Sequence, residues 1–193
     1  YQICGQLVNA DETNTVTITV ECTQHLASAG SWSGSSFVYS DPSYTVYFDA
    51  NGGQNTRTSK TVTYGYSYGS LPTPSRFGYN FDGWFTSADG GSQITSSTTC
   101  SLSGNQTLYA HWTRIVLLEG SCGDNLTFIL YGDGELDIFG SGEMTSHPWT
   151  DDFAERVLFV VMPDGLETIC DSAFGGCTYL ESAPIPDTVS SVG

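Results

Sequence analysis

The feature that most constrains this chain is a repeat near its C-terminal end. Met162-Pro163-Asp164-Gly165-Leu166-Glu167-Thr168-Ile169-Cys170 returns 23 residues later as Ile185-Pro186-Asp187-Thr188-Val189-Ser190-Ser191-Val192-Gly193. Pro and Asp are identical in the two copies, and apolar residues return at the first, fifth and eighth places. A period in the twenties makes each copy one turn of a stacked coil, with one inward apolar face that only a neighbouring turn can bury. Only about one and a half turns are present, where a solenoid needs about three. The second copy breaks off at Gly193, so the natural protein is expected to continue beyond it.

The rest of the chain reads as β-structure. Thr15-Val16-Thr17-Ile18-Thr19-Val20-Glu21 alternates threonine with β-branched apolar residues, the period of a half-buried strand. Tyr44-Thr45-Val46-Tyr47-Phe48 is a second strand, closed by the turn residues Asn51-Gly52-Gly53. Lys60–Tyr64, Phe81–Phe85 and Thr107–Trp112 continue the pattern, and Leu71-Pro72-Thr73-Pro74 is an extended connector. Cys122 to Thr127 is read as the first strand of a hairpin, with Gly132-Asp133-Gly134 as its turn and Leu136-Asp137-Ile138 as its return. Composition shifts then suggest three segments: 1–43, 44–113 and 119–193.

Charge narrows the partners. Five Lys and Arg stand against 21 Asp and Glu, a net charge of −16. Such a surface repels phosphate backbones and anionic headgroups, so nucleic acid and direct membrane insertion are not expected. No apolar run reaches the roughly 18 residues of a membrane span. The longest, Arg156 to Pro163, has the length of a strand.

Candidate chemistry is sparse. The six cysteines (Cys4, Cys22, Cys100, Cys122, Cys170, Cys177) are even in number, which permits three disulfides. A Cys4–Cys22 bridge would close an N-terminal hairpin, and Cys170–Cys177 could pair across a folded-back turn; free buried thiols are the alternative. The cysteine and histidine spacings do not match a zinc site, and no cofactor is expected. Asp151-Asp152 reads as a solvated turn rather than an acid–base pair. Asp133, Glu135 and Asp137 offer hard oxygens for calcium but lack an EF-hand loop. Tyr64, Tyr66 and Tyr68, spaced by two, would project from one side of a strand. They could form a sugar-stacking or protein-docking strip, or pack partly on the core. Trp84 is read as core and His111 as packing.

Two stretches resemble known families. Residues 44–113 resemble the Listeria–Bacteroides repeat, the internalin-type B-repeat module. The motifs are Val46 to Gly53, Lys60 to Gly65, Leu71 to Pro74, Gly78 to Trp84 and Leu108 to Trp112. That resemblance implies a small β-grasp-like, ubiquitin-like module with a spacer or interaction role. Residues 122–193 resemble the BspA-like leucine-rich-repeat proteins through Cys122 to Thr127, the 23-residue copies and Ala173-Phe174-Gly175-Gly176-Cys177. Cys170 departs from the glycine that is usual there. Residues 1–43 match no family.

The expected architecture is therefore mainly β: a β-grasp-like module, then a β-hairpin cap and the first coils of a leucine-rich-repeat solenoid. The expected function is that of a non-catalytic extracellular protein, secreted or on a bacterial surface, mediating adhesion or protein–protein interaction. Its ligand would be a protein or glycan on a host or neighbouring cell, or a sister subunit. Two rivals are a structural subunit of an extracellular filament and an accessory glycan-binding arm of a secreted enzyme.

Overall fold

A computed structural model describes residues 5–7, 18–20, 29–33, 36–55 and 57–193. Among these, helix is confined to one 3₁₀ turn, Asp151–Arg156, and strands make up the frame. Two short antiparallel pairs come first. Strand β1 (Gly5–Leu7) pairs with β2 (Ile18–Val20), and β3 (Ala29–Ser33) with β4 (Ser36–Ser40). Thr15 to Thr17, Cys4 and Cys22 lie outside the described residues.

A five-stranded sheet follows. Its strands are β5 (Ser43–Asp49), β6 (Ser59–Thr63), β7 (Tyr79–Phe85), β8 (Gln93–Ile94) and β9 (Gln106–Arg114), in the order β6-β5-β9-β7-β8. Antiparallel β5 and β6 run from Ser43 opposite Thr63 to Tyr47 opposite Ser59. The alternation in the sequence becomes the alternation of the strand: in β5, Val46 and Phe48 are buried while Tyr47 and Asp49 face out. Trp84 is core, as expected, at 1% exposure. Its indole N–H donates to the Pro72 carbonyl at 2.8 Å, and its ring meets Phe48 and Phe81.

A second sheet holds β10 (Val116–Gly123), β11 (Leu126–Tyr131), β12 (Glu135–Glu143), β13 (Phe159–Val161), β14 (Gly165–Ile169) and β15 (Ser191–Val192). Strands β10, β11 and β12 are antiparallel; β13 and β14 then join β12 in parallel, and β15 joins β14. The hairpin β11–β12 turns at Gly132-Asp133-Gly134 as read from the sequence, but it opens later than expected. Cys122 and Gly123 end β10, because the chain reverses at Asp124-Asn125, between β10 and β11.

The parallel registers reproduce the sequence repeat. Thr168 pairs with Ser191, Ile169 with Val192 and Phe159 with Ser182, each 23 residues apart. Strand β12 pairs with β13 and β14 at nearly the same offset: Glu135 pairs with Phe159 and Ser141 with Gly165, each 24 residues apart. The return strand of the hairpin is thus the strand to which both parallel strands add. Beneath these strands Leu126, Phe128, Leu130, Leu136, Ile138, Trp149, Val157, Val160, Leu166 and Ile169 form one core. Trp149 is its largest member; it donates to the Ala173 carbonyl at 2.8 Å and meets Phe128 edge-on.

By contacts the chain divides into two units. One comprises Tyr1–Tyr47, Ser59–Leu71 and Thr95–Gln106; the other comprises Phe48–Thr58, Pro72–Ile94 and Thr107–Gly193. Residues 44–113 contribute to both, so this division differs from the segments suggested by composition.

Candidate functional site

Within the second unit, the face of the β10–β13 sheet turned away from the core carries the densest set of unusual side chains. Cross-strand pairing sets them out in rows. Glu119, Ile129, Asp137 and Val161 are successive partners on β10, β11, β12 and β13. On one side of that row Glu135 pairs with Phe159; on the other, Ser121, Thr127 and Phe139 are partners. Residues directly opposite on neighbouring strands share a face, so these side chains stand together. Three large apolar ones are open to solvent: Phe139 at 45%, Phe159 at 39% and Val161 at 50% exposure.

The acidic side chains of this face are sorted by one cation. Arg114, at the end of β9, donates through Nε (3.1 Å) and Nη2 (2.7 Å) to the two carboxylate oxygens of Asp133, and through Nη1 to Glu135 at 3.1 Å. Its guanidinium also lies 3.8 Å from the centre of the Tyr131 ring. The planar fork thus has both carboxylates and an aromatic face as partners, an arrangement a lysine could not reproduce. These groups are partly exposed, so the network is worth roughly 1–2 kcal/mol. Burial alone would lower the Arg114 pKa, but the two carboxylates raise it above its ordinary value. Burial would likewise raise Asp133, but the hydrogen bonds from Arg114 hold it below the usual carboxylate range.

Backbone contacts fix Arg114 in place. Ile115 N–H donates to the Gly78 carbonyl at 2.9 Å, and Gly132 N–H donates to the Ile115 carbonyl at 2.7 Å. Gly78 has φ +77°, and a Cβ there would run into the backbone of Gly132 and Asp133, so only glycine suits the position.

Asp137 borders this arrangement through the carboxyl of Glu135 but receives no hydrogen bond from Arg114. Its row neighbours Ile129 and Val161 are apolar, and its Oδ1 is shielded from water with no hydrogen-bond partner. Burial, followed by the carboxyl of Glu135, pushes its pKa up to about 6. The calcium reading of Asp133, Glu135 and Asp137 loses its geometry here, since Arg114 occupies oxygens of the first two. Among the described residues no group of three or more His, Cys, Asp or Glu is placed to hold a metal ion.

Of the two readings of Tyr64, Tyr66 and Tyr68, a projecting strip or partial packing on the core, the structure has the second. Residues 63–66 form a turn at the end of β6, with Tyr66 N–H donating to the Thr63 carbonyl at 3.1 Å, and Gly65 and Gly69 have positive φ. Tyr66 is 60% exposed and Tyr64 half-buried, whereas Tyr68 is buried and reaches Gln106 Oε1 at 3.0 Å. Gly65 and Gly69 interrupt the period that the spacing implied.

Of the two readings of Cys170 and Cys177, a bridge or free thiols, the structure has the second: Cys100, Cys122, Cys170 and Cys177 are free thiols. Cys170 instead lies against His147, with Sγ 3.4 Å from Nδ1. Burial raises the pKa of Cys170, and that of Cys122 to about 11, so both stay protonated at neutral pH and are weak nucleophiles. His111 packs as expected: its ring stacks on Phe85 at 3.9 Å, and Nε2 contacts the Ser87 carbonyl. Asp151 and Asp152 are exposed at the start of the 3₁₀ turn.

Sequence reasoning missed strand β10, the role of Arg114 and the open row through Asp137. A signal for the last was present. Phe159-Val160-Val161 is apolar at every position, whereas a strand with one solvated face should alternate.

Comparison with known proteins agrees with part of this picture. Residues 44–111 match the model of the Listeria–Bacteroides repeat domain, a type typical of bacterial surface proteins. No curated protein matches the chain. Among solved structures, a leucine-rich repeat protein from Eubacterium ventriosum is 26% identical over 39% of this chain, with a TM-score of 0.34. The match spans 22% of that protein.

Proposed function

We propose that this chain is part of a non-catalytic bacterial surface protein, exported from the cell, that mediates adhesion by binding other proteins. Residues 44–113 act as a β-grasp-like spacer or docking module, and residues 119–193 as the cap and first coils of a leucine-rich-repeat domain. The observation that carries the reading is the open face holding Phe139, Phe159 and Val161, three large apolar side chains on neighbouring strands. Clustered exposed apolar side chains mark contact surfaces more often than chance. The match of residues 44–111 to a domain type of surface proteins supports the location.

Adhesion of coated beads tests the reading. Beads carrying this chain are expected to hold to cell monolayers better than albumin-coated beads, and protease treatment of the monolayer should remove the difference. Substituting Phe159→Ser together with Val161→Ser should reduce adhesion several-fold. Adhesion that survives both the protease and the substitutions would contradict a protein-binding face.

A further inference from the structure

We propose that the open row of the β10–β13 sheet is a receptor for a basic side chain of a protein partner, with Asp137 as the carboxylate that receives it and Val161 and Phe159 as the apolar walls. The inference rests on the docking function proposed above and specifies its partner: a segment in which an arginine or lysine is flanked by apolar residues.

Three observations converge on it. Asp137 has no hydrogen bond from a cation, although the charge of Arg114 reaches it. The nearby guanidinium, Arg114, is already committed to Asp133 and Glu135 by three hydrogen bonds and stacks on Tyr131. Asp137 retains an oxygen with no donor, and an unpaired, shielded acceptor is costly until a partner supplies one. Its direct neighbours across the strands, Ile129 and Val161, are apolar, and Phe159 stands beside Glu135 on the same edge. A cation bound between such walls gains more from the carboxylate than it would in water, because the partner's apolar residues displace water from Phe159 and Val161 as they dock.

Charge selects the sign of the partner. The groups facing Asp137 are Glu135 on its own strand, Asp133 in the adjoining turn, Arg114 at the end of β9 and, at the far end of the row, Glu119 on β10; β13 contributes only apolar residues to this face. Asp133, Glu135 and Asp137 against Arg114 leave the cluster negative even with both ion pairs made. The whole chain, at −16, attracts the same kind of partner from a distance. The walls add a second requirement. A bare polycation satisfies the carboxylates but leaves Phe159 and Val161 in water, so charge and apolar contact are needed together.

The test is an NMR titration of the ¹⁵N-labelled full chain with four capped peptides. One alternates valine and arginine, one replaces arginine by neutral citrulline, one replaces it by glutamate, and one replaces valine by glycine. The valine–arginine peptide should shift amides of β11, β12 and β13, and bind at least about tenfold tighter than the citrulline and glycine versions, corresponding to ~1.4 kcal/mol. The glutamate peptide should not bind. Asp137→Asn should remove the preference for arginine over citrulline while leaving citrulline binding unchanged, and Val161→Ser should weaken both. Equal binding of the arginine and citrulline peptides, or an unchanged preference in Asp137→Asn, would overturn the cation receptor while leaving a docking face in place. Equal binding of the valine and glycine peptides would reduce the effect to non-specific attraction and overturn it too. Absence of binding by any peptide would overturn the receptor, whereas the docking function stands or falls on bead adhesion.

Discussion

Asp137 shows how a single residue can be held in an unfavourable place by its neighbours. Strand alternation puts it on the outer face between Leu136 and Ile138, both buried, and the register puts Ile129 and Val161 on either side. Its folded-state pKa of about 6 lies above the ordinary 3.8. The folded chain therefore holds this proton more tightly than the unfolded chain does. Its contribution favours folding most at low pH, declines as pH rises from about 4 to about 6, and is a full penalty above that. Asp137→Asn should remove the penalty. After discounting for solvent screening at this partly exposed site, the expected gain is ~1 kcal/mol at pH 7, with none at pH 3.5. Thermal unfolding at the two pH values measures it. A variant equally stabilised at both would show that the carboxylate is not strained by its neighbours. Arg114 is the counterpart, a residue whose three charged hydrogen bonds hold two carboxylates that would otherwise repel Asp137 more strongly.

At the scale of the element, the hairpin β11–β12 and the parallel strands beside it were the most legible parts of the sequence. The repeat offset of 23 residues became the register of the parallel ladder between β14 and β15, so that equivalent residues of the two copies lie side by side. The turn Gly132-Asp133-Gly134 was also legible, since glycine supplies the positive φ that a tight reversal needs; Gly134 has φ +91°. A Cβ at Gly134 would also meet the Leu158 side chain. Gly134→Ala is therefore expected to destabilise the chain by ~1–3 kcal/mol, read as a shift in the denaturant midpoint. An unchanged midpoint would mean that the turn rearranges freely. Two alternatives that the sequence left open resolve in the structure, and one feature escaped the sequence. Tyr64, Tyr66 and Tyr68 have strand spacing, but Gly65 and Gly69 take positive φ and Tyr68 packs on the core, as the packing alternative held. Cys170 and Cys177 are free thiols, the alternative to a bridge, and Cys170 lies against His147. The site face was invisible because its rows join residues from four strands, such as Glu119, Ile129, Asp137 and Val161.

For the whole molecule, charge and open apolar surface act over different distances. The net charge of −16 would steer basic partners through a field that salt screens within roughly 8–10 Å. Phe139, Phe159 and Val161 would act only on contact. The proposed adhesive role requires that this face remain available, which makes the state of association the most direct test of the account. Light scattering after size exclusion, over a concentration series and with and without reductant, measures it. The account predicts a constant mass near 20.7 kDa in both buffers, with the face free for a foreign partner. Larger species that grow with concentration, and that vanish when Phe159→Ser and Val161→Ser are introduced, would contradict it by showing that the face is occupied by copies of the chain itself.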